Sequence, residues 1–225
     1  LYPDTRADHM SQPFETLISD ARAFYGELAK NNTRDWFTEH KSRYETQLKK
    51  PAKMLLNAAA PKLSGMLEQT VTTKLFRANR DVRFSKDKTP YALHLHMMWV
   101  PQGAGTQPVY FFGIAGEYVR TGAGLMNFDK AQQAAWRAWV SEREGDALQA
   151  RLDAASAAGA TYGKPELKRI PSPFDKEHPR GDLLRRKSLV LWKDLDANGS
   201  GDLVGAITQS FETLDPVMDD LRTFL

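Results

Sequence analysis

Apolar residues return at intervals of three and four along the first seventy positions of the chain. Phe14, Leu17, Ile18, Ala21, Tyr25 and Leu28 share one helical face, and Pro13 suits a first helical turn. Asn31-Asn32 interrupts that pattern, Thr33 is placed to cap a second helix, and Asp35 falls near its positive end. Along one side of this second helix lie Trp36, Phe37, His40, Tyr44 and Leu48. Pro51 predicts the start of a third segment, Met54 to Leu67, which Pro61 should kink or divide. Three such helices cannot bury their apolar stripes alone and call for a sheet or for one another.

The period then shifts to two. In Lys74–Ser85, Phe76, Ala78, Val82 and Phe84 fall on one face, and Arg77, Asn79, Asp81 and Arg83 on the other. Leu93, Leu95, Met97 and Trp99 alternate with His94, His96 and Met98, and Val109–Arg120 is rich in aromatic and β-branched residues. Gly122 to Met126 predicts a further short strand. Helical spacing resumes from Asp129, with Trp136 and Trp139 on one stripe and Leu148 and Leu152 on a second. Residues 159–181 read as a surface excursion, Leu183–Lys187 as a helical turn and Ser188–Trp192 as a last strand. Asp202 to Leu214 closes with a helix, and Pro216 predicts a separate short one. These elements predict an α+β protein: N-terminal helices packed on a mainly antiparallel sheet, with further helices after the sheet. Residues 10–225 read as a single domain, and residues 1–9, with a His9-Met10 junction, as an appended or disordered segment.

Composition narrows the chemistry. The 225 residues contain no cysteine, which excludes disulfides, thiolate metal sites and thiol nucleophiles. Val109 to Ala115 is the longest mostly apolar run, far short of the ~20 residues that span a bilayer. No secretory pattern is visible, so a cytoplasmic protein without a membrane partner is expected. The formal charge of +3 is unevenly spread. Residues 77–91 carry five basic and two acidic groups, residues 164–187 eight and four, and residues 194–225 seven acids against Arg222 alone.

The first basic run holds Arg77, Arg80, Asp81, Arg83, Lys86, Asp87 and Lys88. Strand alternation would put Arg80 among apolar side chains, where a guanidinium needs a carboxylate or a bound anion. Arginine binds oxyanions bidentately and lysine as a point charge, so phosphate or carboxylate suits the cluster, and self-neutralisation by Asp81 and Asp87 is the competing reading. The second run offers Arg169, His178 and Lys187; a histidine in a basic loop is a candidate acid or base near neutrality.

Asn31-Asn32-x-Arg34-x-Trp36-Phe37, His40-Lys41 and Tyr44, followed by Arg80-Asp81-x-Arg83-Phe84-Ser85-Lys86-Asp87-Lys88-Thr89-Pro90-Tyr91, resemble a bacterial and fungal family catalogued as a domain of unknown function. Gly122-x-Gly124-Leu125, Leu167-Lys168-Arg169-x-Pro171, His178-Pro179 and Leu184-x-x-Lys187 follow in the same order, so the resemblance runs from about Phe14 to Leu225. Ala92-Leu93 depart from it where a more polar pair is expected. The resemblance implies a shared set of residues and assigns no activity to any of them.

Other signals are weaker. Asp194-x-Asp196-x-Asn198-Gly199 imitates a calcium loop but has Gly205 at the twelfth position, so a polar turn before a helix capped near Ser200 fits better. His94-x-His96 has metal-ligand spacing but no acidic partner nearby in sequence, and His40 reads as a hydrogen-bonded core histidine. No metal and no cofactor are implied. The resulting expectation is a cationic cleft for a small phosphorylated or carboxylated ligand. Arg77, Arg80, Arg83, Lys86, Lys88, Arg169 and Lys187 would bind it, and His178, Asp81 or Asp87 would move any proton. The alternative is an interaction module that binds nucleic acid or an acidic protein surface through both basic segments.

Overall fold

The computed structural model describes residues 14–196 and 201–224. The segment 1–9, and Asn198, Gly199 and Ser200 of the calcium-like turn and its helix cap, lie outside the described residues. Helix α1 (Leu17–Lys30) buries Leu17, Ala21, Tyr25 and Leu28 of the predicted stripe, together with Phe24, which that stripe omits, while Ile18 is half-buried. Asn31 ends it, and Thr33 caps α2 (Arg34–Glu39) by accepting from the Trp36 amide at 3.3 Å. His40 stacks on Trp36 at 3.9 Å, with its Nδ1 2.8 Å from the Trp36 carbonyl.

A short α3 (Lys41–Arg43) passes through a π-helical turn, Tyr44–Lys49, into α4 (Lys50–Leu67). The predicted restart at Pro51 is therefore a passage: the wider turn just before it accommodates the ring and its missing N–H. Pro61 does not divide α4, nor does Pro216 divide α8 (Leu203–Phe224). Both prolines are exposed, so the carbonyls they deprive of a donor face water.

Six strands form an antiparallel sheet: β1 (Val71–Leu75), β2 (His94–Pro101), β3 (Val109–Ala115), β4 (Val119–Leu125), β5 (Ala160–Tyr162) and β6 (Leu189–Asp194). Their order is β1-β2-β3-β4-β6-β5, a four-strand meander extended by β6 beside β4. Between β4 and β5 lie α5 (Lys130–Ser141), opened by an Asp129–Gln132 capping box, and α6 (Arg143–Ala157). A short α7 (Gly181–Leu184) precedes β6. The architecture is α+β, with helices before and after the sheet. Strand β5 sits inside the stretch read as excursion, and Gly122–Leu125 belongs to β4 instead of a separate strand.

The predicted strand Lys74–Ser85 is overturned. β1 ends at Leu75, and residues 76–91 form a loop closed by a single bridge between Asn79 and Tyr91. Side-chain bonds within the loop displace a ladder there, and Phe84, expected on an apolar face, is 96% exposed.

The sheet has two unlike faces. On one, Leu95, Met97, Trp99, Tyr110, Phe112 and Leu191 join the core beneath α1, α4 and α8. Trp99 donates its Nε1–H to the Leu56 carbonyl at 3.0 Å, and Thr121 meets Ser210 at 2.6 Å. The acidic α8 is tied to this side: Asp215 accepts from Tyr110 at 2.5 Å and pairs with Arg222 at 3.0 Å. The other face carries His96, Met98, Phe111, Tyr118, Arg120 and Trp192, and none of them belongs to the core cluster. No described helix covers it.

Candidate functional site

The loop 76–91 is fastened at its far end. Tyr91 stacks on Phe37 at 3.9 Å and 11°, and Asn32 brackets its backbone, donating to the Tyr91 carbonyl at 2.9 Å and accepting from its amide at 3.2 Å. Residues 59 positions apart are thereby joined, which gives a physical reason for the Asn-Asn and Arg-Asp motifs to occur together. Arg80 N–H to Pro90 O and Ala92 N–H to Ala78 O, each 2.8 Å, complete the loop's neck.

Inside the neck, Arg80 uses one corner of its guanidinium. Nη1 donates to Asp87 Oδ2 at 2.5 Å, Thr89 Oγ1 at 2.5 Å and the Thr89 carbonyl at 3.1 Å. Its Nε and Nη2 have no hydrogen-bond partner among the described residues. The Asp87 carboxylate accepts from the Thr89 amide at 2.9 Å as well, and that bond, followed by Arg80 and the Thr89 hydroxyl, holds its pKa down at about 2. Asp87 is thus anionic at neutral pH and orients Arg80.

The cleft beside this arginine has a volume of about 480 Å³ and is lined by Phe76, Arg77, Arg80, Thr89, Leu93 and His94, among others. Ala92 and Leu93, the departure from the family pattern, form part of its apolar wall. Arg77 adds a cation with no ion pair among the described residues. Arg83, Lys86 and Lys88 are not among its lining residues. Arg83, its side chain 76% exposed, pairs with Asp81 at 2.7 Å, which keeps the Asp81 carboxyl below its ordinary range. Lys88 donates to the Val82 carbonyl at 3.0 Å and braces the turn, while Lys86 is exposed.

The second basic segment lines a separate cleft of about 830 Å³, which holds Lys168, Arg169, Lys176, His178, Arg180 and Arg185 and shares no lining residue with the first. Much of its charge is spent. Arg180 donates to the Val140 carbonyl at 2.7 Å and pairs with Asp146 at 2.6 Å, and Arg185 pairs with Asp182. His178 accepts the Arg180 amide on Nδ1 at 3.1 Å, which puts the neutral ring's proton on Nε2. Lys187 lines neither cleft.

Arg120 and Trp192 escaped the sequence reading as site residues, as did the burial of Arg186 within the second basic run. Arg186 is only 5% exposed, with its Nε lacking a partner among the described residues and its guanidinium 4.9 Å over Tyr162; burial pushes its pKa down. It lines a hollow of about 220 Å³ with Lys164, Ser188 and Trp192. On the open face, Arg120 lies over the rings of both Tyr118 (3.9 Å) and Trp192 (4.8 Å). His94 stacks on His96 at 3.7 Å, and His96 Nε2 meets the Tyr118 hydroxyl at 2.8 Å. Burial first, then His94 and Arg120, pushes His96 down to about 4. Among the described residues no group of three or more His, Asp or Glu is placed to hold a metal ion. The signal available in sequence was the glycines: a Cβ on Gly122 would come within 2.5 Å of the Trp192 ring, and one on Gly113 within 2.9 Å of His96.

No described helix is long and apolar enough to cross a membrane. No curated protein matches the chain. From residue 20 to residue 219, spanning both motif regions and every strand, the chain matches the profile of the family described as Conserved hypothetical protein (DUF2461), and it belongs to that family.

Proposed function

We propose that the motif cleft binds a small oxyanion, a phosphate or carboxylate carried on a metabolite. The observation that supports this is the condition of Arg80. Asp87 and Thr89 occupy Nη1 and fix the guanidinium plane, and the Nε–Nη2 edge, the geometry that grips two oxygens of one anion, has no hydrogen-bond partner among the described residues. Arg77 supplies a second positive charge, and the apolar wall of Phe76, Ala92 and Leu93 suits a ligand with a carbon body beyond its charged head.

Asp81 and Asp87, both anionic at neutral pH, serve as positioning groups in this reading. His178 stands in the other cleft, so proton transfer at the motif cleft falls to His94, which burial keeps neutral at pH 7. Thermal shift and calorimetric titration with inorganic phosphate and with phenyl phosphate test the proposal. The aryl ester should bind more tightly, and Arg80→Gln should weaken both by about tenfold or more. Equal affinity in wild type and Arg80→Gln would remove the cleft from consideration.

A further inference from the structure

The open face of the sheet calls for a partner of its own. A six-stranded antiparallel sheet can leave one face to water, but such a face ordinarily alternates to small polar side chains. Here the open face carries rings: His96, the buried Phe111 and Trp192 on the strands, Phe76 just past the end of edge strand β1 and Tyr118 in the turn between β3 and β4, with Arg120 over two of them. Gly113 and Gly122 lie beneath His96 and Trp192, so the rings rest against backbone where a Cβ would have held them off.

Charge frames these rings at both ends. Phe76 and His94 belong also to the motif cleft with Arg77 and Arg80. Trp192 belongs also to the hollow that holds Lys164 and the buried Arg186, whose Nε has no partner among the described residues. Three strand spacings, on the order of 14 Å, separate β2 from β6. Lys74 adds a further cation on the same face, its Nζ 4.9 Å from the Phe76 ring. Glu117, Asp194, Glu166 and Asp87 are the acids near this path; Glu166 is engaged by the Lys187 amide and the Ser188 hydroxyl, and Asp87 by Arg80 and Thr89. The acidic helix α8, which would repel phosphate, is packed on the opposite face through Phe211, Asp215 and Ser210.

We infer that this face binds single-stranded nucleic acid, with bases stacked on Phe76, on the half-buried rings of His96, Tyr118 and Trp192 and on the Arg120 guanidinium, and backbone phosphates held by the cations at its two ends. Stacking on aromatic side chains of an open sheet, with cations tracking the backbone, is the chemistry by which sheet surfaces bind single strands. A duplex keeps its bases out of reach of such a surface. The inference rests on the oxyanion reading of the motif cleft, and takes that oxyanion to be a nucleic-acid backbone phosphate in place of a metabolite's phosphate or carboxylate.

The test is fluorescence anisotropy with labelled dodecamers of uridine and of thymidine, and with a duplex of equal length, read alongside tryptophan emission. Single strands should bind with a log–log salt slope of about −3, at about 0.7 per phosphate contacted, and the duplex several-fold more weakly. Arg120→Gln should weaken binding about fivefold or more, while Lys53→Gln, on the exposed side of α4, leaves it unchanged. Binding should quench emission, and Trp192→Phe, which keeps a ring, should retain affinity and lose the quench. Absence of single-strand binding at 50 mM salt, equal duplex affinity, or a quench that persists in Trp192→Phe overturns the inference. Where inorganic phosphate is held in an Arg80-dependent way and dodecamers are not, the platform fails and the cleft reading stands. Where dodecamers bind and Arg80→Gln changes neither probe, the cleft reading fails, and with it the assignment of a backbone phosphate to Arg80.

Discussion

The two faces of the sheet are made from the same strands and have opposite fates. In β2, Leu95, Met97 and Trp99 are at most 1% exposed, whereas His94, His96 and Met98, one position out of step, remain partly in water. The covered face obtains its order from apolar burial and from a few satisfied polar groups, such as Trp99 on the Leu56 carbonyl. The open face is ordered by stacking, by the His96–Tyr118 bond and by Arg120 over its rings. Architecture is concentrated on the first face and polar, ring-rich chemistry on the second, with the motif loop at its edge.

The largest test of this contrast is a pair of tryptophans. Trp99→Ala should lower unfolding free energy by about 3–5 kcal/mol in urea denaturation, whereas Trp192→Ala should cost about 1–2 kcal/mol. A reversed order would break the comparison.

Acid should then act on the open face first. The folded pKa of His96, about 4, lies below its ordinary 6.5, so the unfolded chain binds the extra proton. Its contribution is complete above pH 6.5 and is lost as pH falls through about 4. Allowing for partial exposure, this amounts to on the order of 2 kcal/mol. His96→Gln should flatten the stability profile between those limits, and an unchanged profile would contradict the assignment.

Asn32→Ala comes next. It removes both bonds to the Tyr91 backbone and should cost about 1–2 kcal/mol. Amide exchange should quicken in residues 76–91 while β2 to β4 stay protected; uniform acceleration would show that the loop is not a separate unit. The smallest effect belongs to Phe84→Ser, which at 96% exposure should leave stability within about 0.5 kcal/mol.

Sequence made the helices and the meander readable because their apolar periods are driven by burial: Leu17 through Leu28 and Leu95 through Trp99 appear where the spacing puts them. It misread residues 76–85 because alternation there arises from a loop held by Arg80–Asp87 and Arg83–Asp81 bonds, and side-chain pairing leaves no periodic trace. Of the first basic run, Arg77, Arg80 and Asp87 do line one cleft, while Arg83, Lys86 and Lys88 do not. The second run was legible as charge, and the Asp182–Arg185 pair is local to α7, but the pairing of Arg180 with Asp146 depends on α6 folding against the segment before α7. Arg120 and Trp192 lie 72 positions apart in number and meet only through the β4–β6 pairing, which no local pattern announces.

The oxyanion proposal turns on the Nε–Nη2 edge of Arg80, which has no hydrogen-bond partner among the described residues. The side-chain Nε–H resonance of Arg80, followed by ¹H–¹⁵N correlation during titration with inorganic phosphate, reads that edge directly. A saturable downfield shift of Arg80 Nε–H, absent from Arg83 and lost in Asp87→Asn, is the predicted result. A signal that stays fixed while Arg83 or the residues around His178 respond would contradict it.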